Sequence, residues 1–455
     1  MRATIPHTNL RNRLLLISLL SCALLTSAEA VSPPPDGGYP GGNAAVGQDA
    51  LLNLTSGLYN TAIGLFSLRA NTAGSFNTGV GAGTLLTNVG VENTAIGAGA
   101  LLSNTTGRDN TASGESALFF NTTGRENTAN GANALLNNTT GNSNTATGFQ
   151  ALASNTTAAG NTANGLQALA NNTTGNSNTA TGFQALHRNT TGTVNTANGE
   201  SALLNNTTGV ANTANGQSTL LSSTTGSFNT ATGGVALGNN TTGDNNVAVG
   251  FHGLIGNTTG NENTALGVDA GRDQTTGSGN VYIGTSMVGV AGETNKTYIR
   301  NINATALPGG AAVTVDVNTG LLGHATSSRR YKEEIQPMDK TSEALYQLNP
   351  VTFRYKKEID QTHALSFGLI AEEVAEVNPD LIVRDSAGKP ETVRYEAVNT
   401  MLLNEFLKEH RHVQEQDAII ARQQKQIEVL TAGLEKVTTH LETSKPTAQA
   451  VLSQR

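Results

Sequence analysis

The chain has no tryptophan, and aromatic residues make up only 4% of its 455 positions. A conventional core built on large rings is thereby excluded through most of its length. Charge is sparse as well, with Asp, Glu, Lys and Arg at 13%, and no lysine precedes Lys296. The charged residues gather between Arg329 and Glu442, so a weakly charged body joins a charged C-terminal module. A net charge of -7 gives no electrostatic reason to expect nucleic acid or an anionic membrane as partner. The one cysteine is Cys22, and after residue 30 no run reaches the ~20 apolar residues of a membrane helix.

The N-terminus carries basic Arg2, Arg11 and Arg13, the apolar run Leu14 to Leu25, and then Ala28-Glu29-Ala30. That order reads as a secretory signal peptide over 1–30, and cleavage after Ala30 would remove the only thiol. A lipoprotein box at Leu19-Leu20-Ser21-Cys22 is the weaker alternative, because Leu20 stands where a small residue is wanted. The Pro- and Gly-rich stretch 31–42 reads as a spacer. Secretion or cell-surface location follows as an expectation.

From Asn43 to Asn280 one phrase recurs, plainest at Asn178-Thr179-Ala180-Thr181-Gly182-Phe183-Gln184-Ala185-Leu186. Its interval is 17 residues everywhere except the step from Asn77 to Asn93, which is one shorter. A strict short period specifies a solenoid, since one coil cannot bury its own apolar face. Within Asn144-Thr145-Ala146-Thr147-Gly148, strand alternation puts both threonines on one face and Ala146 on the other. The leucines Leu51, Leu68, Leu85, Leu101 and their successors to Leu254 hold one position and should stack as an aliphatic ladder. The Asn-Thr-Thr-Gly strings read as corner turns, with Gly at positive φ and Asn capping the bend. Each coil is thus expected to run strand, turn, strand, turn, and about fifteen coils would span roughly 70 Å.

One position varies along the array. The residue before the phrase glycine is apolar near both ends (Val46, Ile63, Val80, Ile96; Val249, Leu266, Ile283) and polar from Ser113 to Thr232. Contact of this face with identical chains about a threefold axis would explain the pattern; exposure to water leaves the apolar ends harder to explain. An ice-binding face built on Thr-Ala-Thr is the competing reading, weakened by Asn198 and Ile63 at the same place. The Asn-x-Thr triplets match a glycosylation sequon, but corners that need Asn and Thr anyway account for them. Calcium sites would need ordered Asp at the turns, which hold Asn, Thr and Gly instead.

Asn60-Thr61-Ala62-Ile63-Gly64 and Asn93-Thr94-Ala95-Ile96-Gly97 resemble the head repeats of trimeric autotransporter adhesins. The resemblance implies a left-handed parallel β-roll, a homotrimer, and binding to a surface glycan or protein. The chain departs from that family in having no C-terminal amphipathic strands for an outer-membrane barrel.

Beyond Gly284 the phrase is lost, and a β-rich neck is expected over 285–326. Then come Ser327-Ser328-Arg329-Arg330-Tyr331-Lys332-Glu333-Glu334-Ile335, Leu348-Asn349-Pro350-Val351-Thr352-Phe353-Arg354-Tyr355-Lys356, and Phe367-Gly368-Leu369-Ile370-Ala371-Glu372-Glu373-Val374. These three ordered blocks resemble the C-terminal intramolecular chaperone of phage tailspike endosialidases, a self-cleaving Ser/Lys peptidase family also found in tail fibres. The resemblance implies a trimeric α+β module over 327–405 that guides folding of the fibre ahead of it and then cuts itself off. By position Ser327 would be the nucleophile and Lys332 the general base, with Arg329 and Arg330 in support. The family commonly has Asp after the serine, where this chain has Ser328. A phage-type tail fibre is the alternative identity, and the signal peptide argues against it.

Phe406, Val413, Ile420, Ile427, Leu434 and Leu441 are seven apart, one seam of a coiled coil over 406–442. The companion seam is polar at Glu409, Gln416 and Gln423 before Leu430 and Val437. The last residues, 443–455, read as a disordered tail. His410 and His412, two apart on a helix, point to different faces, and neither metal nor cofactor is expected.

Overall fold

The structure is a computed structural model that describes residues 39–302, 304, 313–317 and 319–444. The signal-peptide segment, most of the spacer and nearly all of the terminal tail lie outside the described residues. The chain divides between Ala306 and Leu307 into two compact units.

The first unit is a parallel β-solenoid. Sixteen three-residue strands, from β1 (Ala44–Val46) to β16 (Thr297–Ile299), pair in sequence order in one sheet. The short interval is absorbed without loss of register, Thr78 facing Thr94. The ladder also outlasts the phrase: Val281 pairs with Thr297 across a step of sixteen, so one more coil follows Gly284, where the sequence placed the start of the neck. Alternation holds as expected. Most strands have a central Ala, which is buried, as in Thr145–Thr147, where Ala146 lies between two outward threonines. These alanines face the leucine ladder, and Leu68, Leu85 and Leu101 through Leu254 have no exposed surface.

Two expectations about the coil need correction. Its second limb is a run of turns, not a strand, because the buried leucines sit at φ near +50° (Leu152, +52°; Leu186, +51°) with another left-handed residue two places earlier. A pleated strand cannot pass through such residues. The corner glycines of Asn-Thr-Thr-Gly do not use positive φ; the phrase glycines do, at +126° for Gly148 and +129° for Gly182. Corner Gly141 is required for space, since a Cβ there would collide with its own Asn138 Oδ1 and with the Ala158 carbonyl of the next coil. The corner Asn does close the bend, Asn138 Nδ2 donating to Gly141 O at 3.0 Å.

Two internal asparagine ladders run along the stack. The phrase asparagines form one: Asn178 donates through its backbone N (2.9 Å) and Nδ2 (3.2 Å) to Asn161 Oδ1, and Nδ2 also donates to Gly192 O at 2.9 Å. The corner asparagines form the other, Asn155 Nδ2 donating to Asn138 Oδ1 at 2.8 Å. All these side chains are buried, so their amides must be paired to be tolerated. The corner ladder has breaks. The residue missing from the short coil is a corner threonine, Asn88-Val89-Gly90 replacing the four-residue string, and Asn71 Oδ1 is left without a partner. Ser223 stands where an Asn is due, and both its Oγ and Asn206 Oδ1 are buried and unpaired.

At the C-terminal end of the stack the core alanine gives way to Tyr282 and Tyr298, whose rings stack at 5.6 Å. Both hydroxyls donate to the Glu293 carboxylate at 2.7 Å. Burial, then the hydrogen bond to Glu293, raises the Tyr282 pKa above the ordinary tyrosine value. Two rings and a shared carboxylate thus close the thin core where the coils stop.

The second unit is small and mixed. A hairpin of β17 (Val313–Val315) and β18 (Leu322–His324) comes first. A single 3-10 turn follows at Arg329–Tyr331, and a longer one at Asp339–Gln347. The hairpin β19 (Val351–Phe353)/β20 (Ser366–Gly368), helix α1 (Ala371–Val377) and the hairpin β21 (Ile382–Arg384)/β22 (Pro390–Val393) complete the body. Val374, Leu381, Ile382, Val393 and Met401 form its core. Helix α2 (Tyr395–Thr443) starts on this core and continues for 49 residues.

Candidate functional site

Ser327 and Lys332 flank the 3-10 turn Arg329–Tyr331, with Ser328 at its start and Lys332 at its end. Tyr331 N donates to Ser328 O at 3.0 Å and Lys332 N to Arg329 O at 3.1 Å. One tight turn therefore folds a five-residue separation back on itself, and Lys332 Nζ donates to Ser327 Oγ at 3.0 Å. Both side chains are exposed. Arg330 lies over the Tyr331 ring, 4.7 Å from its centre, while Arg329 is exposed beside it. The structure brings the serine and lysine together, and it turns Arg330 toward its neighbouring tyrosine rather than toward the serine.

Chemically, a lysine can accept a serine proton only as the neutral amine, which carries the lone pair the proton needs. Burial is the usual means, since desolvation disfavours the charged form. Water reaches Lys332 freely in the single chain.

A second polar cluster in this unit was not legible in the sequence. Glu405, nearly buried on α2, accepts from Lys408 Nζ at 2.6 Å, from Ser342 Oγ, and from Tyr346 Oη at 2.9 Å. Asn404 Nδ2 donates to the same Ser342 Oγ at 2.7 Å. Lys408 foremost, then Ser342 and Tyr346, hold the Glu405 carboxyl down to about 2. The cluster ties the turn Asp339–Gln347 to α2 just before Phe406. Its members are some sixty residues apart in sequence, so no spacing rule could have joined them.

Elsewhere the candidates fall away. The sequon asparagines of the Asn-Thr-Thr-Gly corners, Asn104, Asn121, Asn138 and their equivalents, are fully buried in the ladder and cannot carry a glycan in the folded coil. His410 and His412 each contact the Gln four residues on, Gln414 and Gln416. Among the described residues no cluster of three or more His, Cys, Asp or Glu could hold a metal ion, and no helix is long and apolar enough to cross a membrane.

Residues 327–383 match the family described as chaperone of endosialidase. No curated protein and no solved structure matches the chain. The match begins at Ser327 and covers the three blocks singled out above, so the module and the long solenoid before it stand in the order that the sequence indicates.

Proposed function

We propose that the chain is a secreted or cell-surface homotrimeric fibre of adhesin type, whose C-terminal module directs trimer folding and then cleaves the chain beside Ser327. The observation that carries this reading is the chaperone-of-endosialidase match starting on a serine that already receives a hydrogen bond from Lys332. Ser327 Oγ would attack the scissile carbonyl while Lys332 takes its proton and passes it to the departing nitrogen as the peptide C–N bond breaks, and water would then hydrolyse the ester to a carboxylate and free the serine. Association supports the same reading from two other directions. On α2 the heptad residues Phe406, Val413, Ile420, Ile427, Leu434 and Leu441 are all exposed in the single chain. On the solenoid Val46, Ile63, Ile96, Val249, Leu266 and Ile283 are exposed in one row. Rows of this kind suit contact with identical copies, and packing of copies around Lys332 would supply the desolvation its role as a base requires.

The weakly charged Asn/Thr surface of the coils suits a glycan or protein ligand, and a role in adhesion. The test of processing is a denaturing gel of the expressed full chain. Two fragments meeting near Ser327, replaced by one intact band in Ser327→Ala and in Lys332→Ala, are expected. An intact wild-type chain, or cleavage that persists in Ser327→Ala, refutes self-cleavage and leaves the module a folding aid alone.

A further inference from the structure

Four asparagines in the middle of the solenoid are followed by glycine: Asn130-Gly131, Asn164-Gly165, Asn198-Gly199 and Asn215-Gly216. Each asparagine is the last residue of its strand and is exposed. Asn-Gly pairs lose the side-chain amide spontaneously, because glycine places no side chain in front of its own nitrogen. That nitrogen gives up its proton and attacks the Asn Cγ; the C–N bond of the amide breaks and ammonia leaves. Water then opens the five-membered imide at either carbonyl, giving aspartate or isoaspartate. Water is the only co-reactant.

In the fold the attacking nitrogen is committed elsewhere. Gly131 N donates to Ser113 O at 2.7 Å, and Gly165, Gly199 and Gly216 N donate to Thr147, Thr181 and Asn198 O at 2.8 Å. Extended strand backbone also directs the glycine nitrogen along the strand, away from the outward side chain. The reaction therefore needs a coil to open first. The four coils are not equally secured against opening. Asn215 shares its coil, 212–228, with Ser223, whose buried Oγ is unpaired and leaves Asn206 Oδ1 of the coil before it unpaired as well.

We propose that these four asparagines are self-modifying sites, held unreactive by the coil-to-coil hydrogen bonds and released by local opening, with Asn215 the first to react. An isoaspartate there inserts an extra backbone atom into a strand paired residue for residue with both neighbours, Asn215 facing Asn198 and Thr232. The register cannot re-form, so each isoaspartate marks a coil permanently.

The test is peptide mass spectrometry of the purified full chain during incubation at neutral pH, folded and in urea, for the wild type and Ser223→Asn. In urea the four sites are expected to react rapidly and alike. Folded, Asn215 should react roughly fivefold faster than Asn130 or Asn164, the change in open population that one buried hydrogen bond confers. Ser223→Asn, which restores the repeat's own residue, should bring Asn215 to the rate of the others. Equal rates in the folded and unfolded chain would overturn the proposal, as would an Asn215 rate that Ser223→Asn leaves unchanged.

Discussion

Single residues decide where this thin core is strong and where it is weak. The oxygen of a buried corner amide needs a donor from the next coil, and Ser223 leaves Asn206 Oδ1 without one. Ser223→Asn is expected to raise stability by about 1 to 3 kcal/mol, measured by thermal or denaturant unfolding, since it gives Asn206 Oδ1 a donor and removes the unpaired Ser223 Oγ. The asparagines were legible as a period, yet only as turn caps; that they are buried and stacked follows from coil geometry that spacing does not encode. Glu405 presents the opposite case, a residue that no pattern marks. Its carboxyl is depressed from 4.5 to about 2, so its contribution is complete above pH ~4.5 and is lost as pH falls toward 2. Unfolding of the C-terminal module followed across that window should show an acid-side loss that Glu405→Gln lacks.

At the scale of the element, the strand, the leucine ladder and the corner were readable, and the backbone path of the second limb was not. Alternation of Thr and Ala names the buried residue of each strand, and the leucine recurrence names the facing ladder. Backbone sign is invisible to such patterns: Leu152 and Leu186 look like strand residues but sit in the left-handed region, which turns the second limb into a chain of bends. The corner glycine was located correctly and explained wrongly. Close stacking, not positive φ, demands it, so Gly141→Ala should destabilise the solenoid by about 1 to 3 kcal/mol even though its φ suits alanine. Denaturant unfolding against wild type measures this, and a neutral result would contradict the stacking explanation. The helix was legible from its heptads, and its length is what those heptads need.

The whole molecule joins a repetitive, weakly charged stack to a charged module that begins with Ser327. Both units leave rows of apolar residues in water when the chain is alone, at the ends of the solenoid and along α2. The sequence carried the order of the two units and the three blocks of the module, because each is written locally. It could not show the 3.0 Å contact between Lys332 and Ser327 or the cluster around Glu405, which depend on how the chain turns back on itself.

The central claim is that three chains assemble through the C-terminal module and its helix. Sedimentation equilibrium of the Ser327→Ala full chain, in which that module stays attached, tests it most directly. The account requires a mass of three chains that falls to one when Ile420 and Ile427 are replaced by Asp. A monomer before those replacements, or a trimer unchanged by them, would contradict it.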